Sequence, residues 1–424
     1  MTSEECRAYR DELSRHLTEE LLPFWLERAA DRGHGGFITH FDEHGNDSGE
    51  DEKSLIAQAR TVFTMSYAHR AGYGDGRCLE LAEHGVRFLL DRLWDAEHGG
   101  FYWTANRTGE PAVTKKIVYG QSFAIYALAE YGRAGGDPRA LEYAARLFDL
   151  LQMHCTETAY GGYLEMFERD WRVCGPGAAG GDRKTLDVHM HLMEAFTSLY
   201  ALSGAELHAR KLREIITLLI QRMMTEHGTG IPQFTVDWRQ APQIKFDIVW
   251  GWDRFSEGGA KANPLDNTSY GHNVEFAWLL REALHTLGDD LEPYAALMRG
   301  ALDHTVKYGI DPEYGGVYVE GSHNGPSTDR AKEFWQQAEV MTGMLDGYIE
   351  FRDQRYLEAY ATVHRFVLDK MVHRPVGEWW PLLTREGEPI WRHMSHSWKV
   401  NYHTVRAAVN CVVRLTDILT RAML

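Results

Sequence analysis

Two kinds of apolar pattern alternate along the chain. Segments such as "CLELAEHGVRFLLDRLW" (Cys78–Trp94) and "ALEYAARLFDLLQMH" (Ala140–His154) place apolar residues at i, i+3, i+4 and i+7. That spacing predicts helices with one buried stripe. Other segments are small or apolar most of the way round: "SLIAQARTVFTMSYAHRA", "IVYGQSFAIYALAEYGRA", "KTLDVHMHLMEAFTSLYAL", "TSYGHNVEFAWLLREALHTL", "KEFWQQAEVMTGMLDGYIEF" and "SWKVNYHTVRAAVNCVVRL". A helix apolar on nearly every face is buried on nearly every face.

Between an amphipathic helix and the buried helix that follows it, the chain repeats one short glycine-containing motif. The copies are "RGHGGFITHFDEHGN" from Arg32, "WDAEHGGFYWTANRTGEP" from Trp94, "TAYGGYLEMFERDW" from Thr158, "EHGTGIPQFTVDW" from Glu226, "PEYGGVYVEGSHNG" from Pro312 and "VGEWWPLLTREGEP" from Val376. Each reads as β-like runs around a turn. They recur about every 60 to 70 residues, long enough for two helices and a hairpin. The interval from Gly228 to Tyr314 is longer and holds an insertion. Outer amphipathic and inner buried helices in alternation predict an all-α fold, a closed (α/α)6 barrel. The hairpins then fall on the face where outer helices end and inner ones begin. No linker interrupts the pattern, so 1–424 is expected to be one domain.

The inner helices break their apolar pattern at matching places, near their beginnings. The intruders are Arg60, Tyr119, His191, His272, Trp335 with Glu339, and His403. Asp187, His191 and Glu194 lie at i, i+4 and i+7 and so share a face. His272 and Glu275 are i, i+3, as are His403 and Arg406; Trp335 and Glu339 are i, i+4. A lone histidine among apolar residues is more often a hydrogen-bonded core residue. Three at equivalent places in different repeats, joined by Arg60, argue instead for a pocket at one end of the barrel axis. His189 is the contrast, about 200° round the helix from His191. It is expected to be structural, and "HMH" is then no metal clamp.

Composition narrows the partners. With 44% hydrophobic residues and thirteen Trp the chain can bury a large core, and its net charge of −16 argues against nucleic acid or an anionic membrane surface. No apolar run reaches spanning length and the opening "MTSEECRAYRDELSRHLTEE" has no signal core. Cys6, Cys78, Cys155, Cys174 and Cys411 are scattered without a CxxC. These features lead to the expectation of a cytoplasmic protein with reduced thiols, a monomer or homodimer, acting on a small molecule. No ligand cluster with metal spacing and no cofactor motif stands out. "GPGAAG" (Gly175–Gly180) matches GxGxxG but lacks a βαβ setting, and Lys184 and Thr185 stand too far from it for a phosphate loop.

The motifs "SYGHNVEFAWLL", "EFWQQAEVMTGML", "SWKVNYHTVRA" and "KTLDVHMHLMEAF" resemble the N-acylglucosamine 2-epimerase superfamily, nearest to its bacterial cellobiose and mannose 2-epimerases. The resemblance runs from the first helix to the last. It implies an (α/α)6 barrel without metal or redox cofactor and a sugar substrate. It casts His272 and His403 as an acid/base pair, Arg60 as the arginine near the reacting oxygens, and His191 as a ring-opening histidine. Glu275 matches the carboxylate beside the first catalytic histidine, and Tyr119, Trp335 and Trp398 match aromatic subsite residues. Asp187 and Glu339 join the expected substrate contacts.

Asp187 stands where cellobiose epimerases usually carry Asn, and Asn401 where they carry Pro. The insertion "IKFDIVWGWDRFSEGGAKANPLDNT" also precedes "SYGH". Its aromatic residues (Phe246, Trp250, Trp252, Phe255) and Ile248 suggest that it folds down at the pocket mouth, with Asp247 or Asp253 facing a hydroxyl. The expected activity is therefore a monosaccharide 2-epimerase on mannose and glucose. A cellobiose 2-epimerase, an aldose–ketose isomerase and a glycoside hydrolase on the same barrel are the alternatives; a hydrolase would want two carboxylates flanking the scissile bond.

Overall fold

The computed structural model describes residues 2–244, 246–248 and 265–421. The chain is an all-α (α/α)6 barrel with only short strands. Its outer layer is α1 (Ser3–Arg15), α2 (Leu22–Arg28), α4 (Arg77–Phe88), α6 (Arg139–His154), α8 (Glu206–Leu218), α10 (Ala295–His304) and α12 (Gln354–Phe366). A π-helical turn, His16–Leu21, joins α1 to α2. The inner ring is α3 (Leu55–Arg70), α5 (Val118–Arg133), α7 (Leu186–Ser203), α9 (Tyr270–Leu287), α11 (Phe334–Phe351) and α13 (Tyr402–Arg421). Each inner helix packs on the next, and α13 packs back on α3. Among the described residues no helix is long and apolar enough to cross a membrane. The five cysteines are buried and unpaired.

The hairpins form their ladders chiefly with neighbouring repeats. The strand that leads into each inner helix pairs antiparallel with the hairpin of the following repeat: Glu52–Ser54 with Thr104–Asn106, Lys116–Ile117 with Met166–Phe167, Arg183–Thr185 with Gln233–Thr235. Thr268–Ser269 pairs with Glu320–Gly321 and Lys332–Glu333 with Leu382–Leu383. Finally His393–Ser395, ahead of α13, pairs with Phe41–Asp42 in the first hairpin. Six two- or three-residue ladders thus close a ring around the barrel mouth.

A buried lysine locks most of these joints. Lys53 reaches Asp31 at 2.9 Å, Lys116 reaches Asp95 at 3.1 Å, Lys184 reaches Glu157 at 3.3 Å, Lys332 reaches Asp311 at 3.1 Å and Lys399 reaches Glu378 at 3.3 Å. Four of these carboxylates also accept backbone N–H groups of their own turn, as Asp95 does from Glu97 and His98. A charge this buried is tolerated only when so paired. In the fourth repeat Thr268 stands at the lysine position and bonds the Gly230 carbonyl instead.

Five residues beyond each lysine, an inner-helix side chain clasps the neighbouring hairpin. The Gln58 amide both accepts from and donates to the Phe37 backbone, Gln121 does so to Phe101, and Gln337 to Val317. This explains the paired glycines of the repeat. Gly36 has φ of 65°, and a Cβ there would lie 2.6 Å from Gln58 Oε1. Only glycine allows both the left-handed turn and that close approach. His189 takes the same place in the third repeat: its Nε2 accepts the Tyr163 N–H and its Nδ1 bonds the Thr185 carbonyl. Burial lowers it to about 4, so it is a neutral structural residue.

Of the insertion, Phe246 is buried and lies against Gly180, and the Asp247 N–H donates to the Ala178 carbonyl at 2.8 Å. Trp250, Trp252, Asp253 and Phe255 lie outside the described residues.

Replacing Gln121 with Ala strands the buried N–H and C=O of Phe101. The expected cost is about 2–4 kcal/mol of unfolding free energy, measured by urea denaturation, whereas Met153→Ala at an exposed position of the outer helix α6 should change little.

Candidate active site

The mouth end of the axis is lined by side chains that inner-helix caps set in place. Ser54, Thr185 and Ser269 cap α3, α7 and α9 through their hydroxyls. Arg60 and His191 each follow their cap by six residues and His272 follows by three. Capping therefore fixes the height at which these groups enter the pocket.

His191 sits between two carboxylates of its own helix, with Nε2 3.2 Å from Asp187 and Nδ1 2.9 Å from Glu194. Burial works against its charge, but the flanking carboxylates of Asp187 and Glu194 outweigh it and raise the ring to about 10. His191 is an imidazolium. Asp187 also lies 3.5 Å from His272 Nε2 and thus stands between two histidines.

His403 is tuned the other way. Its Nδ1 lies 2.6 Å from Glu339 Oε1, a carboxylate supplied by α11. Burial holds it below the ordinary histidine range; Glu339 resists that, and Arg60 and Arg406 reinforce it. Glu339 itself is held low, because Arg406 and His403 outweigh the cost of its burial. The pair is a neutral imidazole donating Nδ1–H to a carboxylate, which leaves Nε2 as the nitrogen able to take a proton. The indole of Trp335 lies beside both rings, its centroid 4.6 Å from His272 and 5.9 Å from His403.

Arg60 is buried and doubly anchored. Its Nη1 donates to the Trp398 carbonyl at 2.7 Å and its Nη2 to Tyr119 Oη at 2.9 Å. Tyr119 stacks on Trp398 with centroids 4.9 Å apart. The expected pocket residues are therefore brought together at one end of the barrel, Asp253 excepted as lying outside the described residues.

The sequence noted Arg406 only as a neighbour of His403, yet it is the hub. Its guanidinium reaches Glu194 at 2.5 Å, Glu339 at 2.7 Å and Glu275 at 3.5 Å, and also the Tyr402 hydroxyl. Glu275, expected to serve His272, thus lies against Arg406. Burial, with the charge of Glu339 beside it, pushes Glu275 well above the carboxylate range, which favours its neutral form. Arg60, Arg406 and charged His191 then face the ionised Asp187, Glu194 and Glu339, and a fourth anion would be unpaired. Three inner-helix glutamates pointing to one axis were the sequence signal for such a cation.

Glu275, Glu339 and His403 place one ligand atom each within 4.8 Å of one another, close enough to hold a metal ion. Arg406 already occupies that carboxylate pair with a fixed positive charge. The donor set fits a guanidinium better than a divalent ion.

Comparison with known proteins finds relatives along nearly the whole chain. The cellobiose 2-epimerase of Bacteroides fragilis is 30% identical over 94% of this chain and 97% of its own. The D-mannose isomerase of Marinomonas mediterranea is 24% identical over 94% and 96%. The solved cellobiose 2-epimerase of Spirochaeta thermophila superposes with a TM-score of 0.86 at 31% identity, covering 98% of each chain. Fold and relatives define an enzyme of the carbohydrate epimerase and isomerase class. The family model for N-acylglucosamine 2-epimerase (GlcNAc 2-epimerase) matches residues 36–407, and the chain belongs to that family.

Because His191 is raised above the ordinary value near 6.5, its charged clamp stabilises the fold in full below about that pH. The contribution is lost as pH climbs toward about 10. Urea unfolding at pH 7 and pH 9.5 should show a fall in stability that is markedly smaller in His191→Asn.

Proposed function

We propose that the protein is an aldose 2-epimerase that interconverts D-mannose and D-glucose by proton transfer between two histidines. The observation that carries this reading is the placement of His272 and His403 about one indole, Trp335, with His403 neutral against Glu339.

The C2 hydrogen of an aldose is acidic only when C1 is an open-chain aldehyde. His191, charged and donor-only, suits proton donation to the ring oxygen as the bond from C1 to that oxygen breaks, while the Asp187 carboxylate beside it takes the C1 hydroxyl proton and leaves the aldehyde. One histidine then removes the C2 proton, and the electron pair moves into a C1–C2 enediolate. The other returns a proton to the opposite face of C2, inverting it. Arg60, fixed by Tyr119 and Trp398, meets the charge that develops on the oxygens. Glu275, held toward its neutral form, backs this charge arrangement through Arg406. Trp335, Trp398 and Tyr119 offer faces for the C–H side of the sugar.

Two features support a single sugar ring. Asp187 adds a carboxylate between His191 and His272, and the insertion begins against the rim, where Phe246 meets Gly180. A second reading, cellobiose 2-epimerase, is favoured by the names of the relatives at 30% identity. Delivery of the proton to C1 would give a ketose, the reaction that the name of the D-mannose isomerase relative describes.

Proton NMR in heavy water separates these readings. Mannose should gain deuterium at C2 and yield glucose; cellobiose turned over as fast as mannose overturns the single-ring reading. A ketose product makes the enzyme an isomerase, and disaccharide hydrolysis makes it a glycosidase. His272→Ala and His403→Ala should each lower the rate by roughly 10² to 10⁴ while leaving the fold intact. EDTA should leave the rate unchanged. Loss on chelation restored by a divalent metal would assign the Glu275–Glu339–His403 trio to that ion.

A further inference from the structure

Ahead of α13 the chain passes from His393–Ser395 through a tight stretch that contains Trp398. The carbonyl of Trp398 is one of the two anchors of Arg60. Two histidines hold this stretch. His40 Nε2 accepts the Ser397 N–H at 3.2 Å and His396 Nδ1 accepts the Trp398 N–H at 3.1 Å. The His396 backbone N–H in turn donates to the Lys399 carbonyl at 3.0 Å. The Ser397 carbonyl accepts from Ser54 Oγ, the cap of the helix that carries Arg60.

A ring nitrogen that accepts an amide N–H is unprotonated, so His396 carries its hydrogen on Nε2 and His40 on Nδ1. His396 bonding the amide two residues ahead has the form of an Asx-turn, with imidazole in place of a carboxamide. His393, Lys399, His40 and Arg60 face His396, while Glu52, Glu50 and Asp47 lie about His40. These basic neighbours of His396 oppose a further proton on it, and burial does so more strongly.

We propose that His396, backed by His40, is a positioning residue for the epimerase reaction: by accepting the Trp398 and Ser397 amides the two rings fix the Trp398 peptide and so aim Arg60 at the reacting oxygens. This rests on the epimerase reading above. Arg60 answers charge that appears only in the transition state, so loosening it lowers kcat and leaves KM nearly unchanged.

The test compares His396→Leu and His396→Asn in the full chain, with mannose as substrate. His396→Leu should lower kcat about ten-fold, the worth of one anchoring hydrogen bond, with KM within about two-fold of wild type. His396→Asn keeps an oxygen that accepts the same N–H and should restore most of the loss. Wild-type kcat in His396→Leu, a change confined to KM, or an Asn variant no better than Leu overturns the assignment. Where His396→Leu fails to fold, ¹⁵N-histidine NMR of the wild type decides: the assignment requires Nδ1 of His396 to be the unprotonated, hydrogen-bonded nitrogen, and the opposite tautomer refutes it. A wild type that exchanges no aldose C2 proton overturns the epimerase reading and this assignment with it, whereas a kinetically normal His396→Leu overturns this assignment alone.

Discussion

Everything in this molecule depends on the joint between one repeat and the next. The strand that enters each inner helix is paired to the following hairpin, and at five of the six joints a buried lysine is paired with a hairpin carboxylate. A two- or three-residue ladder has little strength alone. Its value lies in position: it sets the first turn of each inner helix, with the glutamine clasps and the Ser and Thr caps fixing rotation and height. Six helices registered in this way bring side chains distant in sequence to one spot on the axis.

At that spot, electrostatics differentiates residues of the same type. His191 and His403 are both buried, yet one holds a charge and the other does not. His191 has carboxylates on both ring nitrogens. His403 has one, which it shares with Arg406, and a second guanidinium is near. Arg406 thus lets Glu194 and Glu339 stay ionised while Glu275 is held toward its neutral form. A single central cation turns three chemically identical glutamates into two kinds of group.

How much of this was legible follows from range. Helical periodicity and the glycine-pair repeat are local, so the barrel, its alternating layers and the end at which the pocket lies could be read directly. The shared face of Asp187, His191 and Glu194 is also local, and it became the clamp. What could not be read lay between helices. Glu339 was visible beside Trp335, but its partner His403 lies 64 residues on. The Arg406 hub draws on α7, α9 and α11 together. The buried lysines fall in strands too short to carry an alternation pattern, and their partners lie about twenty residues back.

The ring closes only between Phe41–Asp42 and His393–Ser395, and the same late segment supplies Trp398, His403 and Arg406. During synthesis, five repeats emerge with an open seam and with glutamates that lack their shared counter-charge. Contacts such as Ser54 to Ser397 and Arg60 to Trp398 span 343 and 338 residues. Local pairs of helices form early, but closure over so long a loop comes last. Closing the ring and completing the charge balance of the pocket are therefore one and the same event.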